Sequence, residues 1–242
     1  MAQLSIIIPY YNEPTLLQII DKIYNIKFQN TIQFEVVVVD DGSTDGTTSV
    51  LEEQIHNYKD LKLIKHKLKK GKGAAIKTGL SSCRGDLIII QDADLEYNPA
   101  EIPNVLQPII DGKTKVCYGS RHLSKEQRKR NFLWFKKHVG HALFPYLGGR
   151  LITIVCDLLF WVHLTDVLTC YKAFQVSIIQ NMQLKNNGFE MEGELTSKIL
   201  RKAKIMEVPI SFSPRSNSEG KKIRWQDGFK IIYAIIKYRF SS

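Results

Sequence analysis

Short apolar runs alternate with helix-forming segments through the first half of this chain. The predicted strands are Leu4–Pro9, Phe34–Val39, Leu61–His66, Leu87–Ile90 and Val116–Ser120. The predicted helices begin at Asn12-Glu13-Pro14 and then cover residues 47–58, 71–82 and 98–110, the last with Asn98 as cap and Glu101 as capping-box acid. Strands and helices in this order form right-handed βαβ units around an open parallel sheet. The sequence therefore predicts an α/β fold with a Rossmann-like, mostly parallel sheet flanked by helices.

Polar residues follow four of the predicted strands. In open parallel sheets, ligands bind beyond the carboxyl ends of the strands. We therefore expect the four polar segments to converge on one rim of the sheet. They are Tyr11-Asn12-Glu13, Asp40-Asp41, Asp92-Ala93-Asp94 and Gly119-Ser120-Arg121.

Three carboxylates at alternating positions, Asp92, Asp94 and Glu96, follow the apolar run Leu87–Ile90. If the backbone stays extended beyond the strand, all three side chains point to the same side of it. A cation would relieve their mutual repulsion. Hard oxygen ligands favour Mg²⁺ or Mn²⁺, whose remaining positions substrate phosphates can fill. The pattern predicts a metal-diphosphate site, and an acidic surface turn is the alternative.

The composition indicates anionic partners. The 34 Lys and Arg residues outnumber 24 Asp and Glu, giving a formal charge of +10, which suits nucleotide phosphates, lipid phosphates or an anionic membrane surface. No nucleic-acid-binding motif is recognisable, so nucleic acid is not expected. The 242 residues are interpreted as one domain. Four widely spaced cysteines and the lack of a basic segment before Leu4–Ile8 favour a cytosolic protein without a signal peptide.

The second half of the chain is less regular. The basic segment 121–137 is interpreted as either an active-site cover or a solvated loop. Residues 139–164 are apolar and aromatic, and residues 226–240 place apolar side chains at helical spacing. Both segments suit either core helices or amphipathic helices lying in a membrane interface. No apolar stretch is long enough to span a bilayer, so membrane attachment would be peripheral or mediated by a partner.

Two basic, glycine-containing segments are candidate phosphate contacts. Lys69-Lys70-Gly71-Lys72-Gly73 opens a predicted helix, where backbone N–H groups and lysines could meet a phosphate. Its spacing matches neither the phosphate-loop pattern nor the dinucleotide-binding fingerprint. The segment with Arg215, Lys221, Lys222 and Arg224 either grips a phosphate or is solvated.

The order and spacing of several motifs resemble the family 2 glycosyltransferases. These motifs are Pro9-Tyr10-Tyr11-Asn12-Glu13, Val38-Val39-Asp40-Asp41-Gly42-Ser43, Lys72-Gly73-Ala74-Ala75, Gln91-Asp92-Ala93-Asp94 and Gly119-Ser120-Arg121. A second set resembles the polyprenyl-phosphate sugar transferases, such as dolichol-phosphate mannose synthases. It comprises Thr165-Asp166, Tyr171-Lys172-Ala173-Phe174, Gly188-Phe189-Glu190, Pro214-Arg215 and Trp225-Gln226-Asp227-Gly228. The resemblance implies one GT-A domain, with a nucleotide-sugar half over about 1–121 and an acceptor- and membrane-facing half over about 122–242.

The resemblance also implies roles for individual residues. Those expected around the nucleotide and its phosphates are Pro9, Tyr11, Glu13, Asp40, Asp41, Lys72, Arg215 and Lys221. Asp92 would border the base and sugar, Asp94 would ligate Mg²⁺ or Mn²⁺, and Glu96 stands where relatives often have glutamine. Arg121, with Arg215 and Lys221, would face the donor diphosphate or the acceptor phosphate. Cys170 stands where relatives often have glycine.

The implied reaction moves a hexose from a nucleotide-diphosphate sugar, of the GDP-mannose or UDP-glucose type, to a polyprenyl or dolichyl phosphate with inversion. A phosphate acceptor is already anionic, whereas a hydroxyl acceptor on a polysaccharide or glycan would need a base such as Asp166 or Glu190. That hydroxyl acceptor is the first alternative. An inactive membrane scaffold or a nucleic-acid-binding protein is the alternative of another class. The expected location is the cytoplasmic face of a membrane, and a small membrane protein is a further candidate partner.

Overall fold

The computed structural model describes residues 2–28, 32–126, 129, 139–214 and 225–241. Seven strands form one sheet in the order β3-β2-β1-β4-β6-β5-β7. They are β1 (Ala2–Tyr10), β2 (Ile32–Asp40), β3 (Leu61–Lys65), β4 (Leu87–Ile90), β5 (Val116–Ser120), β6 (Lys172–Gln175) and β7 (Met206–Pro209). Strand β6 is antiparallel to β4 and β5, and the other pairs are parallel. The predicted α/β fold with a mostly parallel sheet is confirmed.

Eight α-helices are described, and they cover both halves of the chain. They are α1 (Leu16–Tyr24), α2 (Thr47–Gln54), α3 (Lys72–Ser82), α4 (Ile102–Ile110), α5 (Val139–Phe160), α6 (Val176–Ile179), α7 (Met191–Leu200) and α8 (Trp225–Phe240). The first helix begins later than predicted. Asn12 adopts a left-handed φ of 46° and its N–H donates to Ser43 Oγ at 3.0 Å, so the chain turns before the helix starts.

Two strands were missed because the sequence gives them a weak signal. The prediction ended the sheet at Val116–Ser120, yet β6 lies between β4 and β5, and β7 adds a further edge. Each is only four residues long, and each contains a charged residue, Lys172 in β6 and Glu207 in β7. Pairing with neighbouring strands, rather than a long β-branched run, therefore fixes them as strands.

The predicted start of α4 is half correct. The Asn98 side chain accepts a hydrogen bond from the Ala100 N–H at 3.2 Å, as a cap residue does. Glu101 does not complete a capping box. Its carboxylate instead accepts hydrogen bonds from the Ser211 N–H at 3.0 Å and the Ser211 hydroxyl at 2.8 Å. Glu101 thus ties the start of α4 to the segment after β7.

The central strands are buried on both faces. Strand β1 pairs with β4 from Leu4↔Leu87 to Ile7↔Ile90, and the side chains of these four residues are buried. Continuous apolar runs of this kind are what a sheet covered by helices on both sides requires. The burial explains why the sequence predicts these strands most clearly.

Helices α5 and α8 pack against each other in a separate apolar cluster. Ile152 and Cys156 of α5 and Ile231 and Ile235 of α8 belong to it. Among the parts of the chain that the structure describes, no helix combines the length and apolarity needed to span a bilayer. Each of the two helices therefore has a face that packs in the protein interior. This agrees with the interpretation of the two segments as core helices. Their outward faces are considered below.

The buried Glu35 carboxylate joins β2 to β1 and to the segment before β4, and this arrangement gives a stability prediction. Glu35 accepts hydrogen bonds from Ser5 Oγ at 2.7 Å and from Arg84 Nε at 3.0 Å. Burial acts to raise the pKa of Glu35, but these hydrogen bonds outweigh it and lower the pKa. Glu35→Gln is expected to reduce the free energy of unfolding at pH 7 by about 1–2 kcal/mol, measured by urea denaturation.

The pH dependence of this effect has a definite sign. A lowered folded-state pKa means that the Glu35 contribution is complete above the unfolded value of about 4.3 and is lost as the pH falls through the folded value. The wild-type advantage over Glu35→Gln should therefore shrink below pH 4. Asp60→Asn is the control, since Asp60 contacts the same arginine from an exposed position at 4.0 Å. An equal loss in the free energy of unfolding for both variants would contradict this role of Glu35.

Candidate active site at the carboxyl ends of the strands

The loops that follow β1, β2, β4 and β5 meet at one rim, as predicted. Thr15 Oγ1 donates to the Ala93 carbonyl at 3.1 Å, which joins the segment after β1 to the segment after β4. The Asn12 contact with Ser43 joins the segments after β1 and β2. The Arg121 guanidinium lies 6.0 Å from the ring centre of Tyr97 and so connects β5 to the same region.

The three acids after β4 do not continue an extended strand. The strand ends at Ile90, and the chain then turns, with the Glu96 N–H donating to Asp94 Oδ1 at 3.1 Å. Within the described residues, no three His, Cys, Asp or Glu side chains are grouped so that they could hold a metal ion. The expected alignment of Asp92, Asp94 and Glu96 on one side is therefore not formed, because the turn redirects the backbone.

A divalent cation still fits the chemistry of this turn. Asp94 and Glu96 are partly exposed at the rim and carry hard carboxylate oxygens. Mg²⁺ is commonly held by one or two carboxylates together with substrate phosphates and water, so three protein ligands are not required. The assignment of Asp92, Asp94 and Glu96 to a metal site stays a prediction.

Asp92 is paired with a lysine from another element. Its Oδ1 lies 2.8 Å from Nζ of Lys72, the first residue of α3, and the same Nζ lies 3.4 Å from Glu192 Oε1. Burial raises the pKa of Asp92, but Lys72 outweighs it and lowers that pKa. Burial likewise acts to lower the pKa of Lys72, yet the two carboxylates hold it well above its usual value. Both groups are therefore charged at neutral pH.

Arg121 and Asp166 form a two-bonded ion pair beneath the rim. Arg121 Nε donates to Asp166 Oδ2 at 2.6 Å, and Nη2 donates to Oδ1 at 2.7 Å. The side chain of Asp166 is 3% exposed and that of Arg121 is 19% exposed. Burial acts to raise the pKa of Asp166, but Arg121 lowers it below its usual value. A carboxylate in this state is a weak proton acceptor.

The two predicted nucleotide-binding acids at the end of β2 support the surrounding loops. Asp40 accepts from the Ser43 N–H at 2.8 Å and from Thr48 Oγ1 at 2.6 Å. Asp41 accepts from the N–H groups of Lys70 at 2.9 Å and Gly71 at 2.7 Å. Asp40 thus organises the start of α2, and Asp41 organises the segment that leads into α3. A direct contact of either residue with a nucleotide stays a prediction.

Three further predicted nucleotide residues, Pro9, Tyr11 and Glu13, belong to the end of β1 and the loop after it. Pro9 is buried within β1, and Glu13 is buried and accepts from Thr15 Oγ1 at 2.8 Å. Lys69 Nζ stands 3.7 Å from the ring centre of Tyr11, a cation–π contact. The Lys69 ammonium thus covers one face of the Tyr11 ring, the residue predicted to contact the nucleotide.

Gly71 and Gly73 are required by close packing at the start of α3. Gly71 has a φ of 109°, and a Cβ there would lie 2.5 Å from the Asn187 carbonyl oxygen. A Cβ on Gly73 would lie 2.7 Å from Met191 Cβ. The Ala74 N–H donates to that same Asn187 carbonyl at 3.0 Å. The glycines therefore allow the loop before α7 to reach Lys72, which explains a pattern that fits no known phosphate fingerprint.

Some predicted residues lie outside the part of the chain that the structure describes. Arg215 and Lys221 fall in the undescribed range 215–224, together with the basic segment around them. Of the proposed cover 121–137, residues 121–126 and 129 are described. The roles assigned to these residues stay predictions.

Sequence reasoning missed the polar residues that support the site from behind. Glu192 and Lys172 are both buried and lie next to Lys72 or its partner. Glu207 accepts from the N–H groups of Thr165 at 2.8 Å and Asp166 at 3.0 Å, and so positions the partner of Arg121. Lys172 stood in one of the family motifs, but neither its pairing with Glu192 nor the support that Glu207 gives to Asp166 was signalled by the sequence.

Comparison with known proteins agrees with this arrangement. A family model described as glycosyl transferase family 2 matches residues 5–173. The dolichol-phosphate mannosyltransferase of Pyrococcus furiosus is 28% identical over 222 residues, covering 90% of this chain and 59% of that protein. The UDP-N-acetylglucosamine–dolichyl-phosphate N-acetylglucosaminyltransferase of Methanococcus voltae is 30% identical, covering 96% of this chain and 94% of that protein. The chain thus spans less than two thirds of the first relative and nearly all of the second.

Solved structures show the same fold. Glucosyl-3-phosphoglycerate synthase from Mycobacterium tuberculosis superposes with a TM-score of 0.72 at 17% identity, covering 100% of this chain and 81% of that chain. Another structure of that synthase, in complex with Mn²⁺, UDP and glucosyl-3-phosphoglycerate, gives a TM-score of 0.67 at 18% identity with the same coverage. The GT-A fold and the family resemblance predicted from the motifs are confirmed. This chain belongs to glycosyl transferase family 2.

Proposed function

We propose that this protein is an inverting, metal-dependent hexosyltransferase that uses a nucleotide-diphosphate sugar and a polyprenyl or dolichyl phosphate. The family supports glycosyl transfer, and the names of the relatives from P. furiosus and M. voltae refer to dolichol phosphate. The observation that carries the choice of acceptor is the Arg121–Asp166 pair. It ties up a carboxylate that a hydroxyl acceptor would need as a base.

The acceptor chemistry follows from the charge of the reacting group. A lipid phosphate is anionic at neutral pH and attacks without losing a proton to the protein. A sugar hydroxyl must be deprotonated, and Asp166 is poorly suited to this because Arg121 lowers its pKa. Glu190 is the other candidate base, and its Oε1 accepts from the Gly188 N–H at 3.1 Å. The hydroxyl-acceptor alternative therefore depends on Glu190.

The donor would lie across the rim between the loops after β1, β2 and β4. Asp94 and Glu96 would hold the cation, which when bound supplies positive charge to the departing diphosphate. Arg121 holds a fixed guanidinium at the same rim, preorganised by Asp166 before substrate binds. Tyr11 offers an aromatic face to the base once Lys69 moves aside.

The decisive experiment is transfer of labelled sugar into an organic phase. The protein is incubated with Mn²⁺, a short polyprenyl phosphate, and labelled GDP-mannose, UDP-glucose or UDP-N-acetylglucosamine. Label should enter the organic phase with one of these donors. Label that stays in water with every donor would remove the lipid acceptor, and donor hydrolysis dependent on Mn²⁺ would still separate an enzyme from an inactive scaffold.

We propose that the acceptor is reached from an anionic membrane surface on the cytoplasmic side. Apolar side chains point outward along α5 and α8 in rows spaced three or four residues apart. They include Leu147, Leu151, Ile154 and Leu158 on α5 and Phe229, Tyr233, Ile236 and Phe240 on α8. A pocket of about 440 Å³ beside α8 is lined partly by Lys230 and Lys237. Apolar rows flanked by lysines suit an interfacial helix on anionic lipid.

Charge substitutions in these rows give a direct prediction. Leu158→Asp combined with Tyr233→Asp is expected to lower the partition onto phosphatidylglycerol vesicles by at least about tenfold, because each change places a charge in the apolar interface. Sedimentation with vesicles measures the bound fraction. Val50→Asp on α2 is the control: Val50 is an exposed apolar residue outside these rows, and this variant should bind normally. Equal binding by all three proteins would exclude this surface.

A further inference from the structure

Four charged side chains of alternating sign run from the rim into the interior. Asp92 is at the outer end, followed by Lys72 at 2.8 Å and Glu192 at a further 3.4 Å. Glu192 Oε2 then lies 2.5 Å from Lys172 Nζ. Side-chain exposure falls along this row from 21% for Asp92 to 0% for Lys172. The row therefore links the predicted donor site to the strand β6 that the sequence did not reveal.

The inner half of the row is fixed. Lys172 Nζ donates to the Thr169 carbonyl at 2.5 Å and lies 5.1 Å from the ring centre of Tyr118. Glu192 is carried by α7 and is held by Lys172 through one carboxylate oxygen. A buried ion pair is often no more stabilising than apolar residues of similar size. The position of this pair directly behind Lys72 indicates a role in the site rather than in the core.

In the outer half of the row, Lys72 lies between two carboxylates. Lys72 touches Asp92 closely and Glu192 more loosely. A donor that binds to Asp92 must compete with the Lys72 ammonium for the same carboxylate. Removing one partner of a partly buried ion pair is costly because it leaves the other charge unpaired. Glu192 Oε1 is a second carboxylate oxygen that already lies 3.4 Å from the Lys72 ammonium.

We propose that Glu192 is a positioning residue: it anchors Lys72 behind the rim and accepts its charge when the donor engages Asp92. This inference rests on the proposed function, because it assumes a donor at Asp92. Glu192 acts through Lys72 and makes no contact with substrate. Lys172 keeps the Glu192 carboxylate aimed at Lys72. In this proposal, Glu192 on α7 and Lys172 on β6 together set the position of the Lys72 side chain.

The test is a double-mutant cycle on donor binding. Glu192→Gln, Lys72→Gln and the double variant are titrated with GDP-mannose and with UDP-N-acetylglucosamine, each with Mn²⁺, by calorimetry. Glu192→Gln should raise the donor Kd about tenfold, equivalent to about 1.4 kcal/mol, because Lys72 then stays on Asp92. The donor KM should rise similarly while kcat changes less than about threefold. In the Lys72→Gln background, Glu192→Gln should change Kd less than about twofold.

The controls separate this role from a structural one. Glu194→Gln alters a buried acid on the same helix that pairs with Lys198, and it should leave donor Kd within about twofold of wild type. If the Glu192→Gln variant does not fold, Lys172→Met is combined with it. The second substitution removes the buried Lys172 ammonium, which would otherwise face a neutral side chain. If Glu192→Gln weakened donor binding equally in the wild-type and Lys72→Gln backgrounds, the positioning role would be overturned and the proposed function would stand. Wild-type protein that binds neither nucleotide sugar would overturn the proposed function as well.

Discussion

Asp94→Ala should lower kcat/KM for sugar transfer by about 100- to 1,000-fold, the range expected when a preorganised electrostatic contact to a leaving group is lost. Asp94 sits on the turn after β4, where its Oδ1 accepts the Glu96 N–H. Its removal would therefore disturb Glu96 as well as Asp94, two of the three predicted metal-binding carboxylates. The measurement is initial rates of lipid-linked sugar formation over a series of Mn²⁺ concentrations.

Two further proteins make the result interpretable. Asp111→Ala alters an exposed acid at the end of α4, away from the rim, and should transfer sugar at the wild-type rate. Glu96→Gln keeps a side-chain oxygen at that position but removes its charge, and we expect activity within about tenfold of wild type with a changed preference between Mg²⁺ and Mn²⁺. Unchanged transfer by Asp94→Ala would make the metal assignment wrong.

Asp166→Asn is the substitution with the largest expected effect on stability. Asp166 is almost fully buried. Its carboxylate accepts two hydrogen bonds from the Arg121 guanidinium and one from the Arg121 backbone N–H. Neutralising it removes the buried carboxylate that takes both guanidinium hydrogen bonds, which should cost about 3–5 kcal/mol in the free energy of unfolding. Transfer should fall as well, because Arg121 would lose the orientation that aims it at the rim. Urea denaturation and initial rates measure the two effects.

A paired substitution distinguishes the structural effect from the functional one. Arg121→Met with Asp166→Leu replaces both charges by apolar side chains, in a region where Phe212 already packs 5.0 Å from the guanidinium. Stability should recover to within about 1–2 kcal/mol of wild type, since apolar replacements of buried pairs are commonly tolerated. Activity should stay lost. Recovery of transfer in this variant would show that Arg121 has no part in the chemistry.

The first five strands were predictable because each is a local pattern. Strands such as Leu87–Ile90 are continuous apolar runs, which a sheet covered on both faces imposes on its own segment of sequence. The rim also followed from local order, since residues after parallel strands must meet at one edge. The family motifs are likewise short, local stretches. Sequence alone was sufficient for all of these.

Contacts between distant segments were not predictable in the same way. Strand β6 pairs with β4 from Leu87↔Gln175 to Ile89↔Ala173, and only that pairing makes a four-residue segment a strand. Glu101 bonds to Ser211 rather than to its own helix, because the two approach only in the folded chain. Contacts between residues so far apart in the chain, 110 positions in the case of Glu101 and Ser211, leave no periodic pattern in the sequence.

The amino-acid sequence by itself determined the α/β class, the mostly parallel central strands, the rim and the family. Only the tertiary structure decided which charges are paired. Asp92 has Lys72, Asp166 has Arg121, and Glu192 has both Lys72 and Lys172. The physical reason is that strand and helix periodicity is fixed by neighbours a few residues away, whereas the state of a charge depends on burial and on partners brought from other elements.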